Sequence, residues 1–130
     1  MTRTRTLKIG IAPYHKIKER TVAIARGTYK PTRDDPKVWF TSLDSLAQIL
    51  STNNKLLIEI IAKSHPSSLE ELAKLSGRAK GNLSRTLHTM ERYGLISLMR
   101  GERGRIVPQI VFERVRFDVD LTSRTSVAYR

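Results

Sequence analysis

The chain has 130 residues, about the length of one domain, and 39% of them are hydrophobic, which is enough for a modest core. Its 24 Lys and Arg residues against 12 Asp and Glu leave a net charge of +12, which favours polyanionic partners such as nucleic acid. The absence of Cys excludes disulfides, thiolate metal sites and Cys nucleophiles, and without a long apolar run or a secretion signal we expect a cytoplasmic protein with no membrane partner.

The N-terminal part of the chain predicts a strand followed by a helix. Apolar residues alternate with polar residues or Gly over residues 7–11, which is the period of a strand. Pro13 then suits the first turn of a helix, apolar side chains recur at helical spacing up to Ala25, and Gly27 marks the end. The segment GTYKPTRDDPKVW is rich in Pro and mixed charge, so we expect an extended connection there.

Helices are predicted over most of the middle of the chain. Ser42 caps the first, a second follows STNN, and Ser67 or Ser68 opens a third with a Glu three residues later, as in a capping box. Trp39 and Phe40 would pack beneath the first helix or, alternatively, contact a second copy. The predicted core positions of these helices and the next are Leu43, Leu46, Ala47, Leu50, Leu56, Leu57, Ile60, Ile61, Leu69, Leu72, Ala73, Leu75, Leu83, Leu87 and Met90.

The C-terminal third predicts β structure. LISLM and RIV flank the Gly-bounded loop RGERG, which has the length of a hairpin loop. In VRFDVDL, apolar residues alternate with Arg and Asp, which predicts a strand with one apolar and one charged face. Residues 122–130 are mostly small and polar, and we expect a flexible tail.

Three short helices followed by a hairpin is the element order of a winged helix-turn-helix. We therefore predict a mainly α protein with a small β-hairpin wing, an α+β fold, with an N-terminal strand-helix extension and a C-terminal strand. The predicted divisions are residues 1–40, for dimerisation or partner contact, residues 41–121, for DNA binding, and residues 122–130, the tail.

The predicted helix at about residues 79–93 has one apolar and one cationic face. At about 100° per residue, Leu83, Leu87 and Met90 form a narrow stripe that would face the core. The opposite face has no acid, although a merely solvated face usually mixes Glu with Lys, and Glu91 lies near the border of the stripe. That face consists of Gly81, Arg85, His88 and Arg92, flanked by Asn82, Ser84 and Thr89. Arg and Asn can contact base edges in the major groove, and Lys, Ser and helix N-termini hold phosphates.

Gly81 has two interpretations. A Gly inside the first turn of a helix costs about 1 kcal/mol relative to Ala, which suggests that a partner comes close to the backbone there. Alternatively, the helix begins with Asn82 as its cap and Gly81 belongs to the preceding turn.

The hairpin loop carries a second group of cations. Arg100, Arg103 and Arg105 surround two Gly residues, with Glu102 as the acid among them. A hairpin tip of this kind can reach a minor groove or a phosphate backbone beside a recognition helix. Arginine is also common on exposed hairpins that bind nothing, so this alternative stays open.

No pattern in the sequence predicts an enzyme, a metal site or a cofactor. The three His residues stand apart from other ligands at metal-binding spacing, and His88 is explained by the outer face of the helix. The carboxylate pairs at residues 34–35 and at residues 118 and 120 are interpreted as solvated charges. The chain contains no phosphate-loop, dinucleotide-binding or nucleophile-elbow motif.

The stretch SLEELAKLSGRAKGNLSRTLHTMERYGLI resembles the winged helix-turn-helix of MarR-type regulators. It shares their Ser-Arg in the second helix, an aromatic residue with Gly94 at the helix end, and an apolar strand start. The resemblance covers about residues 42–107. LKIGI, VWFTSLDSLAQIL and VRFDVDL extend it to a narrower group of small DNA-binding proteins, some of them encoded beside a TumE-like toxin and acting as antitoxins.

The resemblance implies that Asn82, Ser84 and Arg85 lie in the major groove and that Arg103 and Arg105 lie on the wing. MarR proteins dimerise through long flanking helices. This chain has a short strand and one helix instead, so its dimer would be built differently.

Three functions remain open at this point. We predict a transcription regulator, a repressor, that binds double-stranded DNA sequence-specifically as a homodimer. The alternative is an antitoxin that neutralises a small toxin protein and autoregulates its operon. An RNA-binding winged helix ranks last, because the exposed helix face lacks the aromatic residues that stack on single-stranded bases. The candidate DNA-binding residues are Arg78, Lys80, Asn82, Ser84, Arg85, His88, Arg100, Arg103 and Arg105.

Overall fold

The computed structural model describes residues 4–119 and 121–122, and its contacts divide the chain into two units. One, the sheet unit, contains Thr6–Ala47 together with the strand Arg114–Val119. The other, the helix-hairpin unit, contains Gln48–Glu113 together with residues 4–5. These limits differ from the predicted divisions after residues 40 and 121, because the C-terminal strand pairs with the N-terminal one. Apart from Thr122, the predicted tail lies outside the described residues.

Both units combine helices with strands, so the fold is α+β. In chain order the elements are β1 (Thr6–Ile11), α1 (Tyr14–Ala25), β2 (Val38–Phe40), α2 (Leu43–Ile49), α3 (Thr52–Ser64), α4 (Leu69–Ser76), α5 (Lys80–Arg92), β3 (Ile96–Arg100), β4 (Ile106–Ile110) and β5 (Arg114–Val119). A 3₁₀ turn, Glu102–Gly104, joins β3 to β4. No helix among the described residues combines the length and apolarity that crossing a membrane requires.

The sheet unit is built on three parallel strands in the order β2-β1-β5. The predicted strand and helix at the N-terminus are confirmed as β1 and α1, and Gly27 has a φ of 78°, in the left-handed region that favours Gly. The predicted connection contains β2, which the sequence pattern did not indicate. In the register of β1 with β2, Gly10 lies beside Trp39, and a Cβ on Gly10 would lie 2.5 Å from the indole ring.

The helix-hairpin unit encloses its own core. Packing contacts join α3 to α4 and β4, and α5 to α4 and β3. The predicted stripe of α5 is confirmed, since its three apolar side chains are at most 1% exposed. Four predicted core positions are wrong, because helical spacing defines an apolar stripe without defining how much of it is covered. Leu56 and Leu75 of this unit are 52% and 47% exposed, and Leu43 and Ala47 of α2 are exposed as well. The buried residues of this unit include Leu57, Ile61, Leu69, Leu72, Leu83, Leu87, Met90, Leu95 and Ile96.

Residues that favour helix ends explain where α4 begins and ends and how the chain enters α5. The predicted capping box is formed by Ser68, whose Oγ accepts from the Glu71 N–H at 3.1 Å, while the Glu71 carboxylate accepts from the Ser67 N–H at 3.2 Å. The side-chain and backbone hydrogen bonds from Ser67 hold the pKa of Glu71 below its usual value. Gly77 ends α4 with a φ of 73°, and the chain turns through Arg78 into α5.

The predicted hairpin is confirmed by the antiparallel pairing of β3 with β4. Leu98 lies opposite Pro108, and the Leu98 N–H donates to Glu91 Oε2 at 3.1 Å. Pro108 has no N–H to donate, which a strand tolerates where that group would point away from its partner. Glu91 therefore joins the end of α5 to the first strand of the hairpin.

Candidate nucleic-acid interface

One face of α5 is polar and exposed to solvent. Lys80 begins the helix and Ala79 is its N-cap residue, so Gly81 lies inside the first turn, and the alternative start at Asn82 is wrong. A Cβ at Gly81 would have no atom of the described residues within 4 Å, so packing in the described part of the chain does not require Gly there. The exposed positions of the face are Gly81, Asn82, Arg85, His88 and Arg92, and the partly covered ones are Ser84 and Thr89.

Arg85 is the cation at the middle of this face. Its side chain is exposed and makes no hydrogen bond, ion pair or ring contact within the described residues. Its backbone carbonyl accepts a hydrogen bond from the Thr89 hydroxyl at 3.1 Å, and that bond does not involve the guanidinium. All the guanidinium donors are therefore available to a partner outside the chain.

The acid of α5 is turned away from Arg85. Glu91 accepts from the Leu98 N–H at the edge of the hairpin, as described above, and the exposed face contains no Asp or Glu. The positive charge of the face is therefore not neutralised by α5 itself, which favours an anionic partner.

Ser84 and His88 are connected along the same face. His88 Nδ1 lies 2.6 Å from the Ser84 carbonyl oxygen, so Nδ1 carries the proton that it donates there. Nε2 of a neutral His88 is then an acceptor, and in the protonated ring it is a donor. The Ser84 hydroxyl is 3.5 Å from the same Nδ1. This pair adds polar groups next to Arg85 without adding negative charge.

Arg78 differs from the other predicted DNA-binding residues, because the protein already uses its guanidinium. Nε and Nη2 donate to Asn82 Oδ1 at 2.9 and 2.6 Å, and Nη2 also donates to Thr86 Oγ1 at 3.1 Å. Nη1 donates to Asn54 Oδ1, 24 residues earlier on α3, at 3.1 Å. Arg78 is half-buried and ties α3 to the start of α5, so it positions the helix and is not a free phosphate ligand. Asn82 keeps its amide N–H₂ for a partner, while its Oδ1 is occupied.

Lys80 and the base of the hairpin loop lie together. Lys80 Nζ forms an exposed ion pair with Glu70 Oε1 at 3.3 Å. These two residues line a small cavity of about 150 Å³ together with Gly104 and Arg105 of the hairpin. The start of α5 and the hairpin loop therefore border one surface. An exposed pair of this kind contributes little to stability, so an incoming phosphate can displace Glu70 at small cost.

The hairpin loop has a backbone closed by hydrogen bonds, and its arginines are exposed. Its ends are joined by the Gly101 N–H donating to the Arg105 carbonyl at 2.7 Å, and the Arg105 N–H donates to the Glu102 carbonyl at 3.1 Å. Arg103 has a φ of 59°, a left-handed conformation that is uncommon for a residue with a Cβ. The side chains of Arg100, Arg103 and Arg105 are exposed and unpaired within the described residues.

The sheet unit contains an Arg that is neutralised, and the sequence did not indicate it. Arg20 Nη2 lies 3.1 Å from Asp35 Oδ2, with side chains 11% and 15% exposed, and its guanidinium lies over the rings of Trp39 and Tyr29 at 5.3 and 5.7 Å. The Tyr29 hydroxyl donates to the Asp35 carboxylate, and Thr32 does so at 2.9 Å. These hydrogen bonds, that from Tyr29 first, lower the pKa of Asp35 from 3.8 to about 2.

Asp35 is therefore not a solvated charge, and the interpretation of its sequence pattern was wrong at this position. Its partners are Arg20 of α1 and Tyr29 and Thr32 of the connection itself, a grouping that no spacing rule predicts. Among the described residues, no group of three or more His, Asp or Glu side chains is arranged to hold a metal ion.

A model of the protein family described as HVO_A0114 matches residues 49–117, more than half of the chain. The match begins at the last residue of α2, includes α3 to β4, and ends within β5. No curated protein and no solved structure matches the chain.

Proposed function

We propose that this chain, which belongs to the HVO_A0114 family, is a transcription regulator that binds double-stranded DNA through a winged helix-turn-helix. In this proposal α4 and α5 form the helix-turn-helix, α5 enters the major groove, and the β3–β4 hairpin is the wing. The regulator acts as a repressor by occupying its site. The resemblance to MarR-type regulators noted above agrees with this element order.

The observation that carries the proposal is the exposed, acid-free face of α5, with Arg85 at its centre and unpaired among the residues that the structure describes. A helix of 13 residues is about 20 Å long, and the major groove, about 12 Å wide, admits one. Arg85 would make a bidentate contact to guanine, and Asn82 would contact a base edge through its remaining amide donors. Ser84 and His88 would add polar contacts on one side of Arg85.

The wing supplies contacts that do not depend on sequence. Arg100, Arg103 and Arg105 would bind phosphates or a narrow minor groove, and Lys80 would bind a phosphate at the helix N-terminus. Arg78 acts indirectly here, since it fixes the start of α5 through Asn82 and Asn54. A two-fold homodimer would place two such helices on half-sites about 34 Å apart.

The test is a comparison of two variants that each remove one exposed positive charge. Random duplexes are selected on the wild-type protein, and affinity for the selected duplex is measured by fluorescence anisotropy. We expect Arg85→Ala to weaken binding by about 1–3 kcal/mol, because a bidentate contact to guanine is lost. Lys18→Ala, an exposed residue of α1 in the sheet unit, is the matched control and should change the affinity much less. Equal effects of the two variants would contradict the proposal.

The antitoxin alternative stays a prediction. It requires a protein partner, and the cationic face of α5 is explained without one. Co-expression with the product of the neighbouring gene, followed by purification through a tag on this chain, would show whether a toxin partner exists.

A further inference from the structure

β5 is an edge strand of the sheet unit with an open side. It pairs with β1 along its whole length, and among the described residues no strand lies on its other side. Its side chains are more exposed than those of a covered strand, with Phe117 at 45% and Val119 at 38%. The strand contains no Pro, which is one of the devices that block pairing at exposed edges. An edge of this kind is suited to pair with another strand.

The charge pattern of β5 identifies what kind of strand fits. The sequence from Arg114 to Asp120 is RVRFDVD, with two Arg before Phe117 and two Asp after it. When two such strands run antiparallel about Phe117, Arg116 of each lies opposite Asp118 of the other, and Val115 lies opposite Val119. Arg116 and Asp118 are both exposed, as this pairing requires.

The same pattern disfavours other arrangements. A parallel pairing in register would set Arg116 against Arg116 and Asp118 against Asp118, and like charges directly opposite each other are destabilising. A shift of one residue would move Phe117 and the two Val residues to the face opposite the partner's apolar residues. One arrangement therefore satisfies both the charges and the faces.

We propose that the open edge of β5 is a self-association surface, at which two copies of this chain pair their β5 strands antiparallel about Phe117. The two sheets then continue into one six-stranded sheet in the order β2-β1-β5-β5-β1-β2. The two Phe117 rings meet at the two-fold axis on one face, and two Arg116–Asp118 pairs flank the axis on the other. The inference stands on the sheet unit alone and does not depend on DNA binding.

The test uses charge reversal in the full-length protein, without DNA. In a dimer of Arg116→Asp, two acids on one strand would lie opposite two acids on the other. In a dimer of Asp118→Arg, two Arg residues would lie opposite two Arg residues. We expect each variant alone to raise the dimer dissociation constant at least about tenfold, measured by sedimentation velocity. Mixing the two variants sets an acidic strand against a basic one, so the mixture should form a heterodimer with an affinity near that of the wild type. The variant carrying both changes should dimerise as the wild type does.

The rescue on mixing keeps the test informative, since a chain that failed to fold could not regain its partner. Lys18→Asp, an exposed charge reversal on α1, is the control and should leave the wild-type dimer unchanged. A wild-type protein that stays monomeric throughout the micromolar range would overturn the proposal. A dimer that tolerates both single reversals, or two variants that stay apart when mixed, would overturn it as well. None of these outcomes bears on the affinity of Arg85→Ala for DNA, so the two proposals are tested separately.

Discussion

Arg20 in the sheet unit and Arg85 in the helix-hairpin unit show two opposite uses of the same side chain. Arg20 is nearly covered, paired with Asp35 and packed on two aromatic rings. Arg85 is exposed, and its side chain makes no hydrogen bond, ion pair or ring contact in the described part of the chain. Both count equally in the net charge of +12, yet of these two residues only Arg85 has a guanidinium that is open to a partner.

The comparison teaches that net charge indicates a class of partner without locating the surface that binds it. Arg78, in the helix-hairpin unit, is a second Arg that adds to the net charge without being free to bind a partner. It lies four residues from Asn82 and seven from Arg85 in sequence, but its donors are used by Asn82, Thr86 and Asn54. The free cations are those for which the fold supplies no partner, and the following changes test that distinction.

The largest effect on stability is expected at Asp35. Asp35→Asn removes the carboxylate that neutralises the nearly covered Arg20, and we expect the free energy of unfolding at pH 7 to fall by about 3 kcal/mol. The pKa of Asp35 is lowered to about 2, so its contribution is complete above about pH 4 and is lost as the pH falls towards 2. The difference between variant and wild type in urea unfolding should shrink over that range. DNA affinity at pH 7 should not change while the protein remains folded.

The second-largest effect on stability is expected for Arg78→Ala. This variant should lose about 2 kcal/mol in the free energy of unfolding, because the half-buried guanidinium donates four hydrogen bonds. Arg85→Ala is the matched variant on the same unit, and it should leave unfolding by urea within about 0.5 kcal/mol of the wild type. If Arg85→Ala destabilised the protein as much as Arg78→Ala does, the distinction between a structural and a free Arg would be wrong.

Gly81→Ala should have the smallest effect on stability, and in the opposite direction. Ala favours the helix by about 1 kcal/mol, and the added Cβ meets no atom within 4 Å, so we expect a higher melting temperature. DNA affinity should fall if the backbone of the first turn approaches the duplex, because the methyl group then stands between them. Thermal unfolding and anisotropy on one preparation measure both. A more stable variant with the DNA affinity of the wild type would show that the duplex does not contact the backbone at Gly81.

Much of the helix-hairpin unit could be predicted because its signals are local. The stripe of Leu83, Leu87 and Met90, the capping box at Ser68 and the hairpin loop all depend on residues close in sequence. The exposed face of α5 was predicted for the same reason, since helical geometry places Arg85 opposite the stripe.

The rest depends on pairs that are distant in sequence. The pairing of β5 with β1 joins residues more than 100 positions apart, and period-two alternation predicts a strand without naming its neighbour. The contacts of Arg78 with Asn54 and of Arg20 with Asp35 likewise arise from the fold. The winged helix-turn-helix, the DNA partner and the homodimer stay proposals.

The measurement that tests the central claim most directly is the ratio of two affinities of the wild-type protein, for the selected duplex and for a scrambled duplex of equal length. It is made by anisotropy at two salt concentrations, because phosphate contacts weaken both affinities as salt rises. A protein that reads bases through Arg85 should prefer the selected duplex by at least about 1,000-fold, and more clearly at the higher salt concentration. A ratio near one at both concentrations would mean that the exposed cations of α5 and the hairpin bind any polyanion, and it would contradict the proposed function.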